Sequence, residues 1–146
     1  MDVDLPDRPM VNAIGVGVDL VDIDRVEELI RRHGERALRR LLTERERRYC
    51  LSKPRPAQHI AARLAAKEAA YKALQRAGDA RAVGWLDSEI VQNADGSPSL
   101  LFHGRAAVAA ARLTASDALV SLTHSDRAAA AVVILTGQRE PDARDP

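Results

Sequence analysis

Arg63, Lys67, Glu68 and Lys72 stand close together in the segment ARLAAKEAAYKAL (62–74). Read at about 100° per residue, Ile60, Leu64, Tyr71 and Leu74 fall on one apolar stripe of a helix. Lys67 lies near the middle of that stripe, where an aliphatic side chain is expected. Glu68 sits at its edge with Lys72 four residues on, and Arg63 flanks the other side. Charges aimed around a buried face need partners. Either Glu68 and Lys72 form a surface ion pair while Lys67 snorkels to solvent, or the group binds an anion or a metal. Asp19 poses the same question. It follows GVGV (15–18), and Asp22 and Asp24 are already available as helix caps, so Asp19 is either a turn residue or a chemical one.

Other chemistries find less support. His124 ends an apolar run, LVSLT (119–123), where a structural or exposed histidine is the plain reading. His33, His59 and His103 are scattered and none pairs at i,i+4, which argues against zinc. Cys50 is the only cysteine, so it forms no intrachain disulfide, and without a recognisable catalytic partner it reads as packing. Ser121 lacks a nucleophile elbow. Gly15 and Gly17 lie inside a strand at the wrong spacing for a dinucleotide fingerprint, and no phosphate loop stands elsewhere.

The elements that must position these residues follow from periodicity and punctuation. Ile14, Val16 and Val18 alternate with glycines as a short strand ending at Asp19. A helix capped by Asp22 or Asp24 runs to His33-Gly34, and a second covers about 35–42. Thr43-x-x-Glu46 is a capping box for a third, to about Leu51. Pro54 and Pro56 precede the longest helix, about 57–77, which stops at Gly78-Asp79. Strands are expected at 88–92 and 99–102 around an Asp95-Gly96 turn, an alanine-rich helix at 105–112, and closing strands at 118–123 and 128–135. Helices and mostly antiparallel strands in separate runs make an α+β fold. Residues 1–12 read as a flexible arm, 13–135 as one domain and 136–146 as a flexible tail.

A chain of 146 residues suits one domain. Much of its 46% apolar content is alanine and only 3% of the chain is aromatic, so burial against identical subunits would help the core. A net charge of +1 gives no global field for nucleic acid. No apolar run is long enough to span a bilayer, and the acidic MDVDLPDRP is no signal peptide, so a soluble cytoplasmic protein with no membrane partner is expected.

Taken together, GVGVDLVDIDRV (15–26), ARLAAKEAAYKAL (62–74), DGSP (95–98) and VSLTH (120–124) resemble the holo-(acyl-carrier-protein) synthase family of phosphopantetheinyl transferases, in order and spacing, over about 14–135. The resemblance implies a single domain with a long central helix and a small antiparallel sheet, assembled as a homotrimer with active sites between subunits. It implies transfer of 4′-phosphopantetheine from coenzyme A to a serine of an apo acyl-carrier protein, in lipid biosynthesis, with adenosine 3′,5′-bisphosphate released. Asp19 and Glu68 would bind Mg²⁺, a hard cation suited to two carboxylates, substrate oxygens and water. Lys72 would contact the pyrophosphate, with Arg63, Lys67 and Pro98 near the nucleotide and His124 by the 3′-phosphate or pyrophosphate. Glu68, directly or through a metal-bound water, would be the base for the carrier serine. Arg25, Arg32 and Arg36, together with Arg31, would dock an acidic carrier. Loss of Asp19 or Glu68 would have favoured a non-catalytic binding relative, and both are present. Gln75-Arg76-Ala77-Gly78 replaces a glycine-rich stretch common in the family, and Leu64 a common phenylalanine.

Overall fold

The computed structural model describes residues 11–137. Five strands and four helices follow in order: β1 (Asn12–Asp22), α1 (Ile23–Leu41), α2 (Glu44–Leu51), α3 (Pro56–Leu74), β2 (Ser88–Gln92), β3 (Pro98–Phe102), α4 (Gly104–Arg112), β4 (Ala115–His124) and β5 (Ala128–Gly137). Short 3₁₀ turns at Gln75–Ala77, Ala80–Ala82 and Trp85–Asp87 fill the stretch between α3 and β2. The architecture is the expected α+β. Among the described residues no helix is long and apolar enough to cross a membrane.

Local chemistry sets the helix ends. Asp22, not Asp24, caps α1, its side chain accepting from the Asp24 amide at 2.9 Å. Gly34 (φ 52°, ψ −140°) breaks α1 into two helical pieces, which matches the two helices read on either side of it. Thr43 and Glu46 form the anticipated capping box of α2. α3 ends at Leu74, three residues early, and its continuation tightens into the first 3₁₀ turn.

β1, β5 and β4 form one antiparallel sheet in that order, and β2 and β3 a separate hairpin. The sheet strands are longer than alternation alone implied because pairing carries them on. β1 passes Asp19 to Asp22, which faces Ala128, and β5 continues through Thr136 and Gly137 opposite Ala13 and Asn12. Asn12, Thr136 and Gly137 are therefore sheet residues rather than arm or tail. Residues 1–10 and 138–146 of those expected segments lie outside the described residues.

α3 is the central element. Every residue from Ile60 to Lys67 is buried, so the helix is covered all round rather than along one stripe. Its alanines explain how. Ala65, Ala66, Ala69, Ala70 and Ala73 let it lie against the inner sheet residues Ala131, Val133 and Leu135, while Ile60, Ala61 and Leu64 meet Val26, Leu38 and Leu42 of the α1–α2 layer. The two glycines of β1 serve the same close approach. A Cβ on Gly17 would overlap the Ala69 carbonyl oxygen, and one on Gly15 the Ala73 carbonyl oxygen. Two residues of strand thus match one turn of helix, and Asp19, next on that face, is laid alongside α3.

The other face of the sheet is uncovered, apolar along β1 and mixed along β4, where Asp117, Ser121 and Thr123 flank Leu119. Val16, Val18 and Leu20 are 65%, 63% and 68% exposed, and Leu119 of β4 is 53% exposed. The register joins them across β5, with Val16 opposite Ile134 and Ile134 opposite Leu119.

Candidate active site

β1 and α3 bring Asp19, Glu68 and Lys72 together. The Lys72 ammonium donates to Asp19 Oδ1 at 2.9 Å and to the Val18 carbonyl at 3.0 Å. Lys72 is 44% and Asp19 21% exposed, so the pair opens to solvent. Burial first, and the Asp19 carboxylate second, push Glu68 above the usual carboxylate range, with Lys72 pulling the other way. The surface-pair reading of Glu68 with Lys72 is thereby corrected, since the lysine's hydrogen bonds go to β1. Two carboxylates that repel each other across a strand–helix seam have the chemistry that could hold a hard cation. No cluster of three or more His, Cys, Asp or Glu suited to a metal occurs among the described residues, so the remaining ligands would have to come from substrate and water.

Lys67 takes a different occupation from the nucleotide contact expected of it. Its side chain is 2% exposed and lies 2.8 Å from Glu46 Oε2, whose side chain is fully buried. It also donates to the carbonyls of Trp85 at 2.7 Å and Ser88 at 2.6 Å, which uses all three of its donors. Nor does it snorkel. Glu46 in turn accepts from the Thr43 and Ile90 amides at 2.8 Å each. The pair ties α2, α3 and the approach to β2 into one unit, and it shapes the wall beside Glu68, where Tyr71, Val83, Gly84 and Trp85 line a hollow of about 150 Å³. The sequence showed the capping box but gave no sign that its glutamate had this second duty.

Arg63 is 2% exposed. Its guanidinium lies 4.1 Å from the Tyr49 ring centroid and donates through Nη1 to the His59 carbonyl at 3.3 Å. Nε and Nη2 are buried without a hydrogen-bond partner. Lys53 also stands over Tyr49, at 4.5 Å, and the His59 ring lies 6.4 Å from that of His124. Burial, then Arg63, Lys53 and His124, lower the His59 pKa, as a concentration of positive charge must. Sequence reading missed Tyr49, Lys53 and His59 here, although His59 stands at i,i+4 to Arg63. Pro98 opens β3 and lines a hollow of about 250 Å³ with Gln92, Gly96 and Ser121, on the β4 side of the molecule.

The residues expected of a site therefore fall into two groups in this chain, not one. Asp19, Glu68 and Lys72 lie between β1 and the later part of α3. Arg63 and His124 gather where the start of α3 meets the end of β4. His59 and Glu68 are nine residues apart on one helix, about 14 Å along its axis at 1.5 Å per residue.

On α1, Arg25 is exposed, and Arg36 borders a hollow of about 440 Å³ with Leu29, His33, Ala37, Arg40 and Leu41. Arg32 is not free, because Glu28 pairs with it and with Arg31.

The family model of the 4′-phosphopantetheinyl transferase superfamily matches residues 15–133. A holo-[acyl-carrier-protein] synthase of Koribacter versatilis is 42% identical over 122 residues, 84% of this chain and 97% of its own. The acyl carrier protein synthase structure of Mycobacterium tuberculosis is 35% identical with a TM-score of 0.65, covering 87% of this chain and all of the other. The Helicobacter pylori holo-[acyl-carrier-protein] synthase, solved in complex with coenzyme A, is 27% identical with a TM-score of 0.69, covering 82% and 98%.

Proposed function

The chain belongs to the 4′-phosphopantetheinyl transferase superfamily and is a holo-[acyl-carrier-protein] synthase within it, and from that premise we propose how its residues perform the transfer. The substrates are coenzyme A and an apo acyl-carrier protein in the cytoplasm. The hydroxyl oxygen of the carrier serine forms a bond to the phosphorus that bears pantetheine. The pyrophosphate P–O bond breaks, and adenosine 3′,5′-bisphosphate leaves. Glu68 takes the serine proton, a role its raised pKa suits. Asp19 and Glu68 would hold Mg²⁺, which when bound would polarise the phosphate under attack and neutralise the leaving group. Lys72 moves from Asp19 towards the pyrophosphate oxygens, and Arg63 supplies its unpartnered Nε and Nη2 to a nucleotide phosphate beside His124. Phosphoryl transfer asks the protein mainly for positioning and charge stabilisation, and these residues are of that kind. The observation that carries the reading is the Asp19–Lys72 contact beside a Glu68 whose charge is disfavoured.

The active unit is a homotrimer. Its support is the uncovered apolar face of Val16, Val18, Leu20 and Leu119, together with the separation of the two residue groups along α3. A trimer would set the Arg63–His124 group of one subunit against the Asp19–Glu68–Lys72 group of its neighbour. The test of the function is incubation with coenzyme A, Mg²⁺ and apo carrier, then weighing of the carrier. A gain of one phosphopantetheine is expected only when Mg²⁺ is present, and no gain with any apo carrier would overturn the reading.

A further inference from the structure

Before its break at Gly34, α1 sets an acidic residue among exposed arginines. Arg25, Arg32 and Arg36 are the residues assigned above to carrier docking, and Glu28 stands three residues after Arg25 and four before Arg32, on the same side of the helix. Glu28 Oε2 accepts from Arg31 Nε at 2.9 Å and Oε1 from Arg31 Nη2 at 2.7 Å, a two-pronged pair. Oε1 also accepts from Arg32 Nε. One carboxylate thus occupies two guanidinium groups, while Arg25 and Arg36 make no ion pair among the described residues. The cluster lies at the surface, with side-chain exposures of 40% for Glu28, 70% for Arg31 and 64% for Arg32, so a carboxylate from another molecule can reach it.

We propose that Glu28 is a built-in competitor for the carboxylates of the carrier, holding Arg31 and Arg32 in an intrachain pairing that an acidic carrier must displace. The proposal rests on the docking reading of α1. Exchanging one solvent-exposed carboxylate for another at Arg31 and Arg32 gains little, whereas Arg25 and Arg36 gain a partner they lack. Binding then depends chiefly on Arg25 and Arg36 and on the hollow edged by Leu29, Ala37 and Leu41, and the affinity for carrier is held below what the full arginine set would give. Such a setting suits an enzyme that must release its holo product as well as bind its apo substrate.

The test is Glu28→Gln, with Glu27→Gln as its control. Glu27 is exposed, carries the same charge and pairs with neither arginine. Glu28→Gln is expected to lower KM for an apo acyl-carrier protein about three- to tenfold, from the size of exposed ion pairs. KM for coenzyme A should show no matching fall, and the dependence of carrier KM on salt should steepen. An unchanged carrier KM, or an equal fall in Glu27→Gln, overturns the proposal, the second because net charge alone would then explain the gain. Arg25→Glu and Arg36→Glu separate it from its premise. If both leave carrier KM untouched, the carrier does not dock on α1, and the proposal falls with the docking reading. If they raise KM while Glu28→Gln does not lower it, docking stands and the competitor alone is overturned.

Discussion

Lys72 holds Asp19 from the neighbouring element, its ammonium 2.9 Å from Oδ1 and 3.0 Å from the carbonyl of Val18, so the central helix and first strand are joined through a residue assigned to the chemistry. A cation in that place offsets part of the repulsion between Asp19 and Glu68, and the proposed mechanism turns it towards charge on the transferring group. Lys72→Met should lower kcat by about 10²–10³-fold, the usual effect of removing one donor aimed at developing charge. Steady-state kinetics at saturating coenzyme A and carrier measure it. A loss confined to KM would place Lys72 in ground-state binding instead.

Asp19→Ala and Glu68→Ala should each abolish transfer while leaving the fold intact, because one carboxylate is a poor hold on a strongly hydrated cation. Near-normal turnover of either variant at millimolar Mg²⁺ would remove that residue from the metal site. Without metal, Glu68 carries a further signature. Its folded pKa lies above the ordinary 4.5, so the ionised carboxylate destabilises the fold. Glu68→Gln should therefore melt above wild type at neutral and alkaline pH. The advantage should shrink as pH falls through the raised folded pKa and vanish below the unfolded value. A pH-independent difference would mean that packing, not charge, causes it.

Gly17→Ala tests the seam directly. Its Cβ would overlap a backbone carbonyl of α3, which cannot swing aside as a side chain can. Overpacking of this kind costs about 1–3 kcal/mol and more where backbone must move. Denaturant unfolding should show a loss at or above the upper end of that range, with activity falling further because Asp19 and Glu68 are carried apart. An unchanged midpoint would show that the strand and helix are not in contact there.

These glycines mark where sequence was informative and where it was not. Their place inside an alternating run identified a strand, yet their purpose became visible only with Ala69 and Ala73 against them. Helix caps at Asp22 and Thr43 were legible because they depend on neighbours in the chain. Strand ends were not, since Asp22 is kept in the sheet by Ala128 and Gly137 by Asn12 and Ala115, none of them a near neighbour in sequence. Asp19, Glu68 and Lys72 stood out as charges at awkward positions. Lys67 stood out by the same rule, and its partner Glu46, twenty-one residues earlier and already doing duty as a cap, gave it an internal role.

That role yields a double-mutant prediction. Lys67→Met leaves the Glu46 carboxylate buried without its counter-charge, and breaking such a pair from one side costs about 3–5 kcal/mol. Glu46→Gln strands the ammonium and also weakens the bonds to the Thr43 and Ile90 amides. The double variant should lose markedly less than the sum of the two singles, because neither charge is then left alone. Additive losses would show that the two side chains act independently. Coenzyme A KM, measured on folded Lys67→Met at low temperature, should shift far less than in a variant of Arg63.

The final prediction concerns which chain supplies which residue. Asp19 and Glu68 repel each other within one subunit, whereas His124 stands by His59, a residue about 14 Å along α3 from Glu68. If a trimer sets these two groups together across its interfaces, Asp19→Ala and His124→Ala chains, each poorly active alone, should complement when refolded together. At a mixed interface the His124→Ala chain brings an intact Asp19–Glu68 pair and the Asp19→Ala chain an intact histidine. Random assembly at equal amounts puts the right variant on both sides of about a quarter of the sites. Transfer should recover to that fraction of wild type, rising and falling with the mixing ratio and greatest at equality. Activity equal to the sum of the separate variants, with subunit exchange verified by mass, would mean that each site is built within one chain.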